Sequence, residues 1–179
     1  MSEQVTKPAR IEIEGSDGIA LRQLVPEDAQ AYFDLIEYDR AHLSQAHGRA
    51  QDETAEKYKT VEDVRQSIVD PVIPEKLRFG IWVSDTMVGS NNLTQRDDDN
   101  FEVESGSWIG KQYTGHNYAY LARKLLIDLA FSRLGYQVII SEIAVGNKAS
   151  RKSVEKSGFK LVREWSDYWV YELKRGDIN

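Results

Sequence analysis

The stretch that most restricts the fold runs from residue 107 to 133, SWIGKQYTGHNYAYLARKLLIDLAFSR. Its first residues continue a β-rich run and its middle is a short polar loop around Gly115. From Asn117 onward Tyr118, Leu121, Ala122, Leu125, Leu126, Leu129 and Ala130 recur at helical spacing, and the pattern stops before Gly135. Residues 138–145 are again β-rich, so a strand, a tight loop, a long amphipathic helix and a second strand follow one another. A mixed α/β domain is expected. The first N–H groups of a helix lack intrahelical partners and the dipole is positive there, so a glycine-containing loop entering a helix is a ready anion site. Gly115 by itself is more simply accounted for by the turn it permits.

The remaining elements follow from periodicity and turn chemistry. Ile11 and Ile13, then Ile19, Leu21 and Leu24, flank Gly15-Ser16-Asp17-Gly18 and predict a β-hairpin. Pro26, with Glu27 and Asp28 behind it, opens a helix carrying Tyr32, Phe33, Leu35 and Ile36 and ending near Asp39. Residues 42–59 are polar and poorly patterned. Thr60, with Asp63 three residues on, caps a second helix that Pro71 and Pro74 terminate. Runs at 77–84, 87–95 and 101–109 predict a three-strand meander, 149–157 a short helix stopped by Gly158, and 165–173 a closing strand. The predicted order is ββααβββ followed by αβαβ. With four Pro, no repeat and no linker-like stretch, residues 1–179 read as one domain, with 1–9 a flexible tail.

Composition removes whole classes of chemistry. None of the 179 residues is Cys, which excludes disulfides, a thiol nucleophile and thiolate metal sites. The opening MSEQVTKPAR has no apolar core of the kind a signal peptide needs, and no run is long enough to span a bilayer, so a cytoplasmic protein without a membrane partner is expected. A net charge of −6, from 23 Lys plus Arg against 29 Asp plus Glu, disfavours nucleic acid as a partner and favours encounter with cationic amines.

Other motifs carry no function. Gly106 to Lys111, GSWIGK, has too few residues between its glycines for a phosphate-binding P-loop and lacks the following Ser or Thr. Asp97, Asp98 and Asp99 lack the alternation and distal Glu of a calcium loop and read as a solvated turn. His42, His47 and His116 have no metal spacing, so no metal is expected.

Two motifs in register are specific together. Glu104-Ser105-Gly106-Ser107-Trp108 precedes Gln112-Tyr113-Thr114-Gly115-His116-Asn117, and after the next strand Asn147-Lys148-Ala149-Ser150 opens a short helix closed by Gly158-Phe159. Over about residues 11–173 the chain resembles the GNAT acetyltransferases, and among them the Rim-type branch that includes ribosomal-protein N-terminal acetyltransferases. The family pattern has a second small residue where this chain has Asn117, which tolerates left-handed φ better than most residues do. It often has a Tyr where this chain has Val154.

The resemblance implies a central, mostly antiparallel sheet, splayed in its middle to admit acetyl-CoA and flanked by helices on both faces. It further implies an N-acetyltransferase that moves an acetyl group to a primary amine by direct attack in a ternary complex, the acceptor being a protein N-terminus or a small amine-bearing molecule. A homodimer is compatible with it. On the family pattern the pyrophosphate lies on the amides of Gln112, Tyr113, Thr114, Gly115, His116, Asn117, Tyr118 and Ala119, and the pantetheine arm along Trp108, Ile109 and Gly110. Asn147 reaches the pantetheine amides, and Ser150 lies near the sulfur. Apart from that pattern, Arg151 and Lys152, just after the second motif, are candidates to neutralise the 3′-phosphate of CoA, and a solvated helix face accounts for them more simply. Ser150 is the expected proton donor to the thiolate, though a Ser there is also a natural helix cap. For the base, Glu102 and Glu104 share a strand face with Trp108 and Glu142 lies on the following strand, so Glu104 is expected first and Glu142 second. Glu164 and Asp167 are further candidates, and residues 38–58, with Arg40, His42, Leu43, His47 and Arg49, fall where relatives build the acceptor groove. The competing readings are a non-catalytic acyl-CoA sensor and an acyltransferase taking a longer acyl-CoA.

Overall fold

Eight strands form one sheet with helices on both faces. A computed structural model describes residues 10–43, 56–71, 76–96 and 101–178. The elements in chain order are β1 (Glu12–Glu14), β2 (Ile19–Gln23), α1 (Ala29–Leu43), α2 (Val61–Val69), β3 (Lys76–Val83), β4 (Thr86–Gln95), β5 (Glu102–Ile109), α3 (Tyr118–Asp128), β6 (Val138–Ala144), α4 (Lys148–Lys156), β7 (Lys160–Glu164) and β8 (Tyr168–Lys174). Strand order is β1-β2-β3-β4-β5-β6-β8-β7, antiparallel throughout except between β5 and β6. The expected mixed, mostly antiparallel architecture is thereby present.

Two elements depart from the sequence reading. α1 runs on to Leu43, so Asp39 lies inside it and is buried. β7 was absent from the predicted order. All five of its residues are exposed, and its register against β8 shifts between Leu161 and Arg163, so KLVRE shows none of the alternation that marks a half-buried strand. Only pairing along the sheet edge makes it a strand.

Each sheet face has its own core. Phe79, Leu93, Val103 and Ile139 pack beneath Ala122, Leu126 and Leu129 of the α3 side, while Trp82 and Met87 on the other face meet Tyr32, Leu35 and Ile36 of α1. Full burial of side chains this size contributes roughly 1.5–3 kcal/mol each. The Thr60 capping box forms as expected: the Asp63 N–H donates to Thr60 Oγ1 and Asp63 Oδ2 accepts from the Thr60 N–H.

The feature that creates a site is the short contact between β5 and β6. They pair in parallel only from Glu102↔Val138 to Glu104↔Ile140. The last tie is between side chains, with Ser105 Oγ 2.6 Å from Ser141 Oγ. Beyond it β5 stays on β4 as far as Ile109 and β6 stays on β8 as far as Ala144, so the two halves of the sheet part like a V. Among the described residues no cluster of His, Asp or Glu is placed to hold a metal, and no helix is long and apolar enough to cross a membrane.

Candidate active site

The V holds a cavity of about 100 Å³ lined by Ser105, Ser107, Arg123, Ser141, Asn147 and Ser150, among others. Its walls are the separated ends of β5 and β6, and α3 and α4 roof it.

At the open end the chain enters α3 through a shaped loop. The Gly110 N–H donates to Val88 O at 2.9 Å, and the Lys111 N–H donates to buried Asp39 Oδ2 on α1, which pins the loop to the helix layer. Gly115 (φ 83°) and Asn117 (φ 65°) are both left-handed, the second being the residue before the helix. Asn117 therefore takes the conformation a small residue would take. Left-handed residues set among ordinary ones turn successive N–H groups inward into an anion-binding nest. The N–H groups of Gly115 to Ala119 have no acceptor among the described residues. The dipole of α3 adds its positive end there.

Charge complements this nest. An open groove of about 420 Å³ runs past Thr114, Gly115 and Asn117 between Lys152 and Lys156. Lys156 Nζ donates to Asn117 Oδ1 at 3.1 Å and lies 4.2 Å from the Tyr120 ring centre, so a cation is already held over the loop. Lys156 was not among the expected residues; it follows Lys152 by one helical turn, and that i,i+4 spacing is the sequence signal that points to it. Arg151 points elsewhere: its guanidinium lies 4.2 Å over the Trp169 ring on β8. Its expected role beside Lys152 at a phosphate is therefore not supported by its position.

Asn147 caps α4, its Oδ1 accepting the Ser150 N–H at 3.1 Å. Ser150 is thus not the cap. Its hydroxyl stands in the wall of the cavity with no partner among the described residues. Val154, where relatives often carry Tyr, is buried beneath the same helix.

The carboxylates sit around the other face of β5. By alternation Glu104, Gly106 and Trp108 face α1 and α2, opposite Ser105 and Ser107. Trp108 packs edge-on to Tyr32 at 6.2 Å, with Arg78 over the Tyr32 and Tyr58 rings. Burial, then the neighbouring charge of Glu142, holds the Glu104 carboxyl above the usual Glu range, and Arg96 and Lys76 offset this only in part. Glu142 pairs with Arg96 at 3.1 Å and also lines the cavity, whereas Glu104 does not. Glu102, at the start of β5, pairs with Val138 at the closed end of the V. Glu164 and Asp167 are exposed, and Asp167 approaches the cleft mouth only through its backbone, accepting the Val145 N–H. In the expected acceptor segment Arg40 donates to Tyr58 O and Leu43 is buried, while the His42 side chain, His47 and Arg49 lie outside the described residues. Asp97 to Asp99 also lie outside them.

The left-handed loop yields a stability test. A β-branched residue in that conformation costs roughly 1–2 kcal/mol, whereas Gly adopts it freely. Asn117→Val is expected to lower urea-unfolding stability by about that much and Asn117→Gly to leave it nearly unchanged. Equal losses in both would contradict the conformational reading and point to the Lys156 contact.

Comparison with known proteins gives consistent results. A domain model described as an acetyltransferase (GNAT) domain matches residues 19–160. YdaF of Bacillus subtilis (strain 168), whose name puts it forward as a ribosomal N-acetyltransferase, is 28% identical over 147 residues, covering 80% of this chain and 79% of YdaF. Among solved structures, RimL, a ribosomal L7/L12 alpha-N-protein acetyltransferase in complex with coenzyme A, superposes with a TM-score of 0.79 at 16% identity, covering 92% of this chain and 98% of RimL. RimJ of Mycobacterium smegmatis gives 0.75 at 17% identity, covering 94% of this chain and 88% of RimJ. These two likenesses show the shared fold.

Proposed function

The chain belongs to the GNAT acetyltransferase family, and on that footing we propose that it transfers the acetyl group of acetyl-CoA to a primary amine within a ternary complex. The likeness to YdaF, named as a ribosomal N-acetyltransferase, supports a protein amine as acceptor, and we place that amine at a protein N-terminus. The observation that carries the reading is the combination of a left-handed loop with unsatisfied N–H groups at the start of α3 and a gap between β5 and β6 whose wall holds an unpartnered hydroxyl.

The steps use this chain's own groups. The N–H groups of Gly115 to Ala119, flanked by Lys152 and Lys156, hold the pyrophosphate, and Gln112 to Thr114 form the near wall. Gly110 donates to Val88 across β4, so by strand alternation the N–H of Ile109 points across the gap toward β6. That N–H receives the oxyanion, and Trp108 itself serves as the wall toward the acceptor. The amine nitrogen attacks the thioester carbonyl carbon. One proton of the substrate ammonium passes to Glu104, directly or through Glu142 and water, and frees the nitrogen for this attack; as the carbon–sulfur bond breaks, the thiolate takes its proton from the Ser150 hydroxyl, which is reprotonated by the second proton the nitrogen sheds as the amide forms. No residue is acylated.

Ser150→Ala separates catalysis from capping. Because Asn147 caps α4, the variant is expected to stay within ~0.5 kcal/mol of wild-type stability while kcat falls about 10²-fold with the KM for acetyl-CoA held. A lost helix with unchanged kcat would contradict the assignment. For the function as a whole, peptides with free and with blocked N-termini are incubated with acetyl-CoA and free thiol is followed. Release confined to the free peptides supports N-terminal transfer, and release with small amines alone redirects the acceptor. Binding without release to any amine would favour the sensor reading, whose remaining support is Val154.

A further inference from the structure

The lining of the V includes buried polar groups, where an acetyl-only pocket needs only a small apolar lining. Asn91 of β4 is fully buried, lines the cavity, and has neither Oδ1 nor Nδ2 hydrogen-bonded among the described residues. Arg123 of α3, 7% exposed, lines the same cavity. Its guanidinium donates to Ser153 Oγ at 2.7 Å and to Ser107 Oγ at 3.2 Å, both neutral hydroxyls. Among the described residues no carboxylate pairs with it. Ser105 and Ser141 add to the polar floor, and the one carboxylate among the lining residues, Glu142, is held by Arg96 at 3.1 Å.

A buried cation without a counterion is costly, and so is a buried amide with neither end satisfied. Burial alone lowers the Arg123 pKa to about 10, which still leaves it charged at neutral pH. A guanidinium has five donors, two of which go to the serines, and its fork suits a carboxylate. The cavity of about 100 Å³ has room for a short acyl extension. Ser107 stands two residues before Ile109, about 7 Å along the strand. That is the reach of two methylenes, a carboxyl group and one charge-assisted hydrogen bond of about 2.8 Å.

We propose that this cleft also takes CoA thioesters whose acyl chain ends in a carboxylate, succinyl-CoA being the probe of fitting length, with Arg123 and Asn91 reading the carboxylate. The proposal rests on the thioester transfer proposed above and adds a second acyl class to it. The chemistry is unchanged: the amine nitrogen bonds to the thioester carbonyl carbon, the carbon–sulfur bond breaks, the thiolate leaves as the protonated thiol, and the distal carboxylate remains on the product amide.

The test is calorimetric titration of the whole chain with acetyl-CoA and succinyl-CoA. Succinyl-CoA is expected to bind at least about tenfold more tightly. Arg123→Met is expected to bring the ratio close to one. Should that variant fail to fold, Asn91→Asp decides, because a resident carboxylate in the cavity that Arg123 lines repels the carboxylate of the ligand and abolishes the preference. Equal or weaker binding of succinyl-CoA by the wild type overturns this inference and leaves acetyl-CoA use intact, as does a tenfold ratio that both variants retain. Failure to bind either thioester would instead overturn the function proposed above.

Discussion

Glu104→Gln is expected to lower kcat by about 10²–10⁴-fold, the usual contribution of a positioned general base, with little change in the affinity for acetyl-CoA. Glu104 stands on the face of β5 that carries Trp108, beside Glu142, and both burial and that second carboxylate disfavour its charged form. A base whose pKa is raised toward neutrality combines a useful ionised fraction with a stronger pull on the ammonium proton. The wild-type rate is expected to rise with pH through a midpoint above the ordinary Glu range, and the variant is expected to lose that limb. The stability effect has the opposite sign. A carboxyl whose folded pKa exceeds its unfolded value binds protons more tightly when folded, so stability falls as pH rises from the unfolded pKa through the folded one. Removing the charge is therefore expected to leave the neutral-pH protein at least as stable as wild type. A merely structural Glu104 would give the reverse, a less stable variant with its pH limb intact.

Gly89→Ala is expected to reduce kcat/KM about 10²-fold and to destabilise the chain by about 1–3 kcal/mol. Gly89 lies on β4 opposite Ile109, the residue whose N–H is assigned to the oxyanion. An added Cβ would press on the Trp108 carbonyl oxygen, with Ile109 Cδ1 at 2.8 Å and Ile109 Cα at 3.1 Å. Two of these three neighbours are backbone, so no rotamer relieves the clash. The end of β5 must shift, and displacement of reacting groups by about 1 Å can cost that factor in rate. Urea unfolding and steady-state kinetics on the same preparation check both halves. Wild-type values in both would show that the β4–β5 end tolerates movement and that Ile109 is not the oxyanion donor.

What the sequence disclosed was whatever depends on local pattern. The amphipathic helix after Asn117, the Thr60 capping box and the meander were all legible because periodicity and caps are written in adjacent residues. The left-handed conformation of Asn117 was legible as a tolerance of that residue type and is realised at φ 65°. The depth of the V was not legible from pattern alone, because it depends on where β5 and β6 stop pairing. Neither were Asp39 against the Lys111 N–H, Asn91, or the contact of Arg123 with Ser153, which join residues far apart in the chain. By pattern Arg123 is one polar residue in an amphipathic helix. Its burial follows from the packing of α4 across α3, which no window of residues around it encodes.

The most direct measurement is calorimetric titration with acetyl-CoA, followed in the same cell by a peptide bearing a free N-terminal amine and by assay of released thiol. Saturable binding with a single site per chain, then thiol release that depends on the amine, is the result this account predicts. Absence of acetyl-CoA binding would contradict it at its root, since the nest, the V and the assigned roles of Ser150 and Glu104 all serve that one ligand.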